Sequence, residues 1–352
     1  MAVTGLTGSL LVFYPDLDEA LNPDLLAADT GRQTLSYEAI YSALRRSEPD
    51  RANGWRLEIP EDPGRMITAR YYKPKETELA HFAPLLVTVD PYSGEIVKKR
   101  FWGRFALTWI YDLHYTLLLD KTGKVLMAGV GAVLSISLFS GLYLWWPPRH
   151  KWRTALTIKT GASRERLIYD LHKAGGVYGF VVVLVLALTG VALEVPDYVN
   201  PLIDAVSPLK AMPRPHSAPA GEGAGRITLD RAVAVARQRF PVTRLCWIET
   251  PHDALGSYRI NLRQDFEPNR RFPKTNVWID QYSGRILAVN DPAEFGGGDT
   301  LLSWLHALHS GEAFDLPGRW LIFAAGLTCP LLFVTGVLRW LQKAGAKRQR
   351  RD

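Results

Sequence analysis

Four of the eight histidines in this chain, His114, His172, His306 and His309, stand at the edges of long uncharged stretches. An ionisable or metal-binding group beside a bilayer is costly unless it is used, so each is a candidate ligand. His172 sits in Asp170-Leu-His-Lys-Ala-Gly-Gly-Val-Tyr-Gly179. At about 100° per residue, Gly176, Gly179 and Gly190 return to nearly the same helical face as His172. A histidine above a glycine strip can hold a flat macrocycle edge-on, with the imidazole on the metal; close packing of membrane helices through small residues is the competing reading. His114, in Trp109-Ile-Tyr-Asp-Leu-His-Tyr, and His309, in Trp304-Leu-His-Ala-Leu-His-Ser, are 195 positions apart and read as equivalents. His306 shares a helical face with His309 and either orients it or takes its place. Two imidazoles on one iron suit an electron-transfer b-type haem, because both axial positions are filled. A zinc centre is the alternative, but it needs three or four converging ligands. No C-x-x-C-H occurs, which argues against covalently attached haem. His81, His150, His216 and His252 lie in polar segments and read as solvated.

The elements that must position these histidines are membrane helices. Residues 125–146, 174–193 and 320–338 carry no charge over 22, 20 and 19 positions, and about 20 residues of helix cross the hydrocarbon core. The net charge of +7 is concentrated beside them: residues 147–166 and 339–352 hold twelve basic against two acidic residues, which leaves the rest of the chain at −3. Short basic segments flanking membrane helices stay cytoplasmic, so the charge is topological and nucleic acid is excluded as a partner. Both long polar segments, about 16–123 and 195–317, then lie outside. Trp145, Trp146 and Trp340 form an inner aromatic belt, and Lys124 and Arg319 mark the outer boundary, where they anchor the helices or pair with haem propionates. Ser163 reads as the cap of the third helix. Cys246 and Cys329 fall in different segments, cannot pair and read as packing residues.

A long-period repeat runs through the chain. Val89-Asp-Pro-Tyr-Ser-Gly-Glu-Ile-Val97 recurs as Ile279-Asp-Gln-Tyr-Ser-Gly-Arg-Ile-Leu287, and the Y-S-G core predicts a strand–turn–strand with Gly94 and Gly284 free to take positive φ. A helical stretch precedes each copy, at 37–46 and 229–240. Leu6-Thr7-Gly8 with Pro15 matches Leu188-Thr189-Gly190 with Pro196, and His114, Gly141 and Trp145 match His309, Gly336 and Trp340. The chain reads as two copies of helix, outer α+β module, helix. In that alignment the first helix starts upstream of Met1, leaving an uncharged remnant of 15 residues.

The paired D-x-Y-S-G segments, the L-T-G and proline helix ends, W-I-Y-D-L-H, W-L-H-A-L-H and L-Y-L-W-W-P together resemble the PepSY-associated transmembrane family over nearly the whole chain. Within it the chain is similar to ferric siderophore reductases of the FoxB type. The resemblance implies an integral membrane α-helical protein with four transmembrane helices, the first truncated, and two small periplasmic α+β PepSY-like modules. The layout is a helix remnant at 1–15, a PepSY-like module at 16–103, an interfacial helix and turn with His114 at 104–123, and a membrane helix at 124–146. A basic cytoplasmic loop at 147–166 leads to a membrane helix at 167–195 and a second module at 196–298. An interfacial helix with His306 and His309 at 299–316, a membrane helix at 317–342 and a basic cytoplasmic tail at 343–352 complete it. The resemblance also implies haem b on His114, His309 and His172, with two haems expected where the first helix is complete, since the family carries a histidine there equivalent to His172.

The leading functional expectation is a bacterial inner-membrane oxidoreductase, multi-pass with a cytoplasmic C-terminus. It passes electrons from a quinol or a cytosolic reductase to ferric siderophore outside. The rival is a non-catalytic membrane protein whose modules bind or restrain a periplasmic partner such as a peptidase. No general acid, nucleophile or nucleotide-binding glycine loop is evident, and no helix has the charged or broken interior of a substrate path.

Overall fold

A helix satisfies its backbone polar groups internally, which is what an apolar segment requires where water is absent. A computed structural model describes residues 1–27, 31–218 and 225–348. The elements begin with α1 (Ala2–Leu11), α2 (Tyr14–Leu21), α3 (Tyr37–Ser47), β1 (Trp55–Glu58), β2 (Ile67–Tyr71), β3 (Leu85–Val89) and β4 (Ile96–Phe101). There follow α4 (Ala106–Thr116), α5 (Asp120–Trp145), α6 (Trp152–Leu156), α7 (Arg164–Glu194), α8 (Pro196–Asp204) and α9 (Leu229–Arg239). The last are β5 (Arg244–Glu249), β6 (Ser257–Arg263), β7 (Thr275–Asp280), β8 (Ile286–Asn290), α10 (Gly297–Ser310) and α11 (Asp315–Arg348). They divide into a helical unit, Met1–Tyr14, Ile110–Asn200 and Leu305 onward, and a sheet unit, Pro15–Trp109 and Pro201–Trp304.

In the helical unit, α5, α7 and α11 are long and apolar enough to cross a membrane, and α1 is a shorter apolar helix. Ile136, Phe139, Val181, Leu188 and Phe333 are exposed on the three long helices, as suits a helix whose solvent is lipid. Small residues bring the helices together. Ser9 Oγ donates to the Phe323 carbonyl at 2.9 Å, and a Cβ on Gly5 would lie 2.7 Å from that of Cys329, so α1 rides closely on α11. A Cβ on Gly131 would stand 2.7 Å from Val191 Cγ2, which sets the α5–α7 approach.

The two long helices that follow histidine-bearing helices start alike. Asp120 and Asp315 take φ of 49° and 53°, a left-handed conformation costly for a side-chain-bearing residue. Gly123 then abuts the Thr116 carbonyl and Gly318 the Gly311 carbonyl, leaving no room for a Cβ. Each turn therefore holds the end of α4 or α10 against the head of the next helix. At the far end, Ser163 Oγ accepts from Arg166 N at 3.4 Å, the expected cap. Buried Asp170 binds Arg166 Nε at 3.0 Å and Lys173 Nζ at 2.9 Å and accepts from Lys159 N at 3.2 Å, tying the basic loop to α7. Residues 343–348, expected as tail, continue α11, since no proline interrupts the run and helix formers flank Gly345. Residues 349–352 of that tail lie outside the described residues.

In the sheet unit, the stretches expected as two separate modules share one antiparallel sheet of order β4-β3-β2-β1-β5-β6-β7-β8. The seam is β1 on β5, with Arg56 opposite Glu249 and Leu57 opposite Ile248. Leu57, Ala69, Val87, Ile248, Ile260 and Val277 are fully buried on one face, packed in a single core with Ile40 and Leu44 of α3 and Leu229, Val233 and Ala236 of α9. On the opposite face the Arg56 guanidinium lies 3.7 Å from the Trp247 ring centre, a cation–π contact across the seam. The two helices cap each other. Asp230 accepts from Tyr37 N and Glu38 N, each at 3.0 Å, and Glu38 accepts from Leu229 N at 2.8 Å. Acidic groups thus meet the bare amides and positive dipole end of the other half's helix.

Each D-x-Y-S-G segment is a hairpin turn, as its spacing predicts. Gly94 and Gly284 take φ of 75° and 73°. Asp90 accepts from Tyr92 N at 2.8 Å, and Asp280 accepts from Tyr282 N at 2.9 Å and Ser283 N at 2.8 Å. Burial raises the Asp280 carboxyl, but amide donors including Ser283, Ala218 and Tyr282 outweigh it and hold it below the usual carboxylate range. Cys246 and Cys329 are free thiols that pack internally, and burial pushes Cys246 up to about 11.

Candidate imidazole sites of the helical unit

The helical unit brings His114 and His309 together, their ring centres 6.3 Å apart and their planes at 54°. A metal–imidazole bond of about 2 Å puts each ring centre about 3 Å from the metal, so two imidazoles in line on one ion stand about 6 Å apart. The observed separation fits a single ion between the rings. Both histidines are partly buried. Burial pushes both imidazoles down to about 4, with His309 adding to the effect at His114, so they are neutral at physiological pH. Neutral imidazole is the ligating form.

Each ring is tied at Nδ1. His114 Nδ1 stands 3.0 Å from Thr7 Oγ1 and 3.1 Å from the Thr4 carbonyl. His309 Nδ1 stands 3.0 Å from Thr189 Oγ1. The glycine after each threonine makes the space: a Cβ on Gly8 would lie 2.8 Å from His114 Cε1, and one on Gly190 3.2 Å from His309 Cε1.

His172 belongs to a different place. It is exposed on α7, with Nδ1 3.0 Å from Thr335 Oγ1 of α11, and a Cβ on Gly336 would lie 3.4 Å from its Cε1. His172 and Thr189 are separated by 17 positions of α7, about 25 Å of helix. That is close to the thickness of the hydrocarbon core, so the imidazole sites lie toward opposite ends of α7.

The glycine face of α7 does two jobs. Gly190 lies beneath His309, but a Cβ on Gly176 would meet Leu332 at 3.8 Å and one on Gly179 would meet Thr328 at 3.0 Å. Those two positions face α11, closely at Gly179 and at ordinary contact distance at Gly176. His306 lies one turn before His309 and is partly buried. Arg319 donates from Nε and Nη2 to the Val12 carbonyl at 3.1 and 3.0 Å, and Lys124 Nζ lies 5.3 Å from the Tyr115 ring centre. His81, His150, His216 and His252 are exposed. Among the described residues, no three of the His, Cys, Asp and Glu side chains gather as a metal cluster.

Sequence reasoning missed Thr7, Thr189 and Thr335 as partners of the histidines. Their signal was present: L-T-G recurs at 6–8 and 188–190, and Gly336 already stood in the repeat.

Comparison with curated proteins finds no significant match. A family model described as the PepSY-associated TM region matches residues 1–343, and with nearly its whole length inside that match the chain belongs to this family.

Proposed function

We propose that this protein is a membrane electron carrier in which His114 and His309 hold one b-type haem, and that its electrons reduce ferric siderophore outside the inner membrane. The observation that carries the reading is the imidazole pair, with ring centres 6.3 Å apart and both Nδ1 atoms tied to neighbouring helices. A bound haem would supply one-electron chemistry, and His114 and His309 would be the residues that hold it. The protein's own part is orientation and exclusion. Thr7 and Thr189 hold the rings, and the D-x-x-G turns at Asp120 and Asp315 fix the helix ends that carry them. His172 is the candidate ligand of a second group near the other end of α7, which suits electron passage from an inner donor, a quinol or a cytosolic reductase.

Ferric siderophore as acceptor rests on the resemblance of the histidine segments and the paired D-x-Y-S-G turns. Hard oxygen donors bind Fe(III) far more tightly than Fe(II), so one electron loosens the iron. The test is purification of the full chain in mild detergent from cells supplied with haem. A non-covalent haem with sharp reduced α and β bands is expected, reoxidised under anaerobic conditions by a ferric trihydroxamate. A protein without stoichiometric haem returns the chain to the partner-binding class.

A further inference from the structure

The three tied histidines share one local construction. In each case a threonine is followed by glycine, and the threonine hydroxyl stands 3.0 Å from an imidazole Nδ1: Thr7 and Gly8 for His114, Thr189 and Gly190 for His309, Thr335 and Gly336 for His172; the Thr4 carbonyl stands 3.1 Å from His114 Nδ1 as well. The hydroxyl protons are already committed to the threonines' own helices. Thr7 Oγ1 donates to the Val3 carbonyl at 2.9 Å, Thr189 Oγ1 to Val185 at 2.7 Å and Thr335 Oγ1 to Leu331 at 2.6 Å. A hydroxyl that has given its proton away faces the imidazole as an acceptor, and a carbonyl can only accept. The hydroxyl beside each Nδ1, joined at His114 by the Thr4 carbonyl, therefore demands a proton on it, which leaves Nε2 with its lone pair.

We infer that Thr7, Thr189 and Thr335 are positioning residues that hold His114, His309 and His172 as Nδ1–H tautomers with Nε2 bare for a metal, the glycine after each giving the ring its seat. The inference rests on the haem reading for its purpose but not for its geometry. Histidine free in water prefers the opposite tautomer, so the effect is measurable with or without haem. An Nδ1–H that donates also makes Nε2 a stronger ligand, and losing such a partner typically costs about 10- to 100-fold in metal affinity.

The test uses the full chain in detergent, labelled with ¹⁵N-histidine, as wild type and as Thr7→Val, Thr189→Val, Thr335→Val and the three Thr→Ser variants. Wild type is expected to show three Nδ1–H imidazoles in the haem-free protein. Each Thr→Val change should move the Nδ1 resonance of its own histidine alone, and Thr→Ser should restore it. In haem-loaded protein, Thr7→Val and Thr189→Val should lower affinity for the haem between His114 and His309 about 10- to 100-fold and raise its midpoint potential, while Thr335→Val leaves that haem unchanged. Nε2–H tautomers in wild type, or Thr→Val variants with unmoved Nδ1 resonances, overturn the inference. A wild type that binds no haem sinks the electron-carrier reading, and the haem-free ¹⁵N spectra still decide this one.

Discussion

Alanine placed at the three glycines that seat the rings gives a graded test of the imidazole sites. Carbon atoms relax at separations of about 3.5–4.0 Å. A Cβ at Gly8 would stand 2.8 Å from His114 Cε1, one at Gly190 3.2 Å from His309 Cε1, and one at Gly336 3.4 Å from His172 Cε1. The rings must therefore withdraw by roughly 0.7, 0.3 and 0.1 Å respectively to reach the near edge of that range. Ligand geometry tolerates about 0.5 Å, and overpacking costs about 1–3 kcal/mol. His114 has little freedom to retreat, because Thr7 and the Thr4 carbonyl hold its Nδ1. Gly8→Ala should lose the haem or turn it high-spin, Gly190→Ala should keep a low-spin spectrum with weaker retention, and Gly336→Ala should leave the His114–His309 haem untouched. Gly129, which has nothing within 4 Å of its would-be Cβ, is the control: Gly129→Ala should stabilise α5 by up to about 1 kcal/mol. Visible spectra and haem transfer to apomyoglobin read the series. A Gly8→Ala protein indistinguishable from wild type, or one less damaged than Gly190→Ala, would refute the ring positions.

Three further outcomes are expected. His114→Ala and His309→Ala should each abolish the low-spin spectrum and siderophore reduction, whereas His306→Ala should keep the spectrum and shift only the potential; loss of haem from His306→Ala but not from His309→Ala reverses the assignment. Asp230→Ala should cost about 1–2 kcal/mol and expose the first-turn amides of α3, in the other half of the sheet unit, to hydrogen exchange; protection unchanged at Tyr37 and Glu38 would deny the reciprocal cap. Because its folded carboxyl is held low, Asp280 contributes stability above the ordinary carboxylate range near 4, lost as pH falls through the lowered value. Asp280→Asn should therefore be less stable at neutral pH and flatter in its pH–stability curve below about 4, and a curve parallel to wild type would count against it.

The membrane helices were legible because a bilayer leaves a coarse demand, about 20 uncharged positions, and 125–146, 174–193 and 320–338 meet it. The hairpin turns were legible because positive φ favours glycine, and Gly94 and Gly284 supply it. The union of the two halves was not. Pairing β1 with β5 joins Leu57 to Ile248 across some 190 positions, and alternating apolar residues announce a buried face without naming the strand beside it. The signs that would have helped are chemical: acidic Glu38 and Asp230 stand at equivalent helix starts, and each serves amides of the other half.

The same distinction governs the histidines. Their placement at helix ends and the offset of 195 pointed to His114 and His309 as a pair, and the two rings stand 6.3 Å apart. The glycine face of α7 was read correctly as a face, yet periodicity fixes only a direction, and what lies in that direction differs along the helix: Leu332 and Thr328 at Gly176 and Gly179, His309 at Gly190. A glycine that admits a neighbouring helix and one that admits an imidazole are alike in sequence. On α7 and α11 the residue before them differs. Thr189 and Thr335 carry a hydroxyl that has spent its proton on its own helix, whereas Gly175 before Gly176 and Tyr178 before Gly179 offer no such acceptor. Threonine followed by glycine seats a ring only where a histidine faces it: Thr4-Gly5 and Thr122-Gly123 carry the same pair, and there the glycine admits α11 or the Thr116 carbonyl instead. The appearance of the pair at 7, 189 and 335, against three different histidines, is the reason to treat those threonines as part of the site rather than as helix filler.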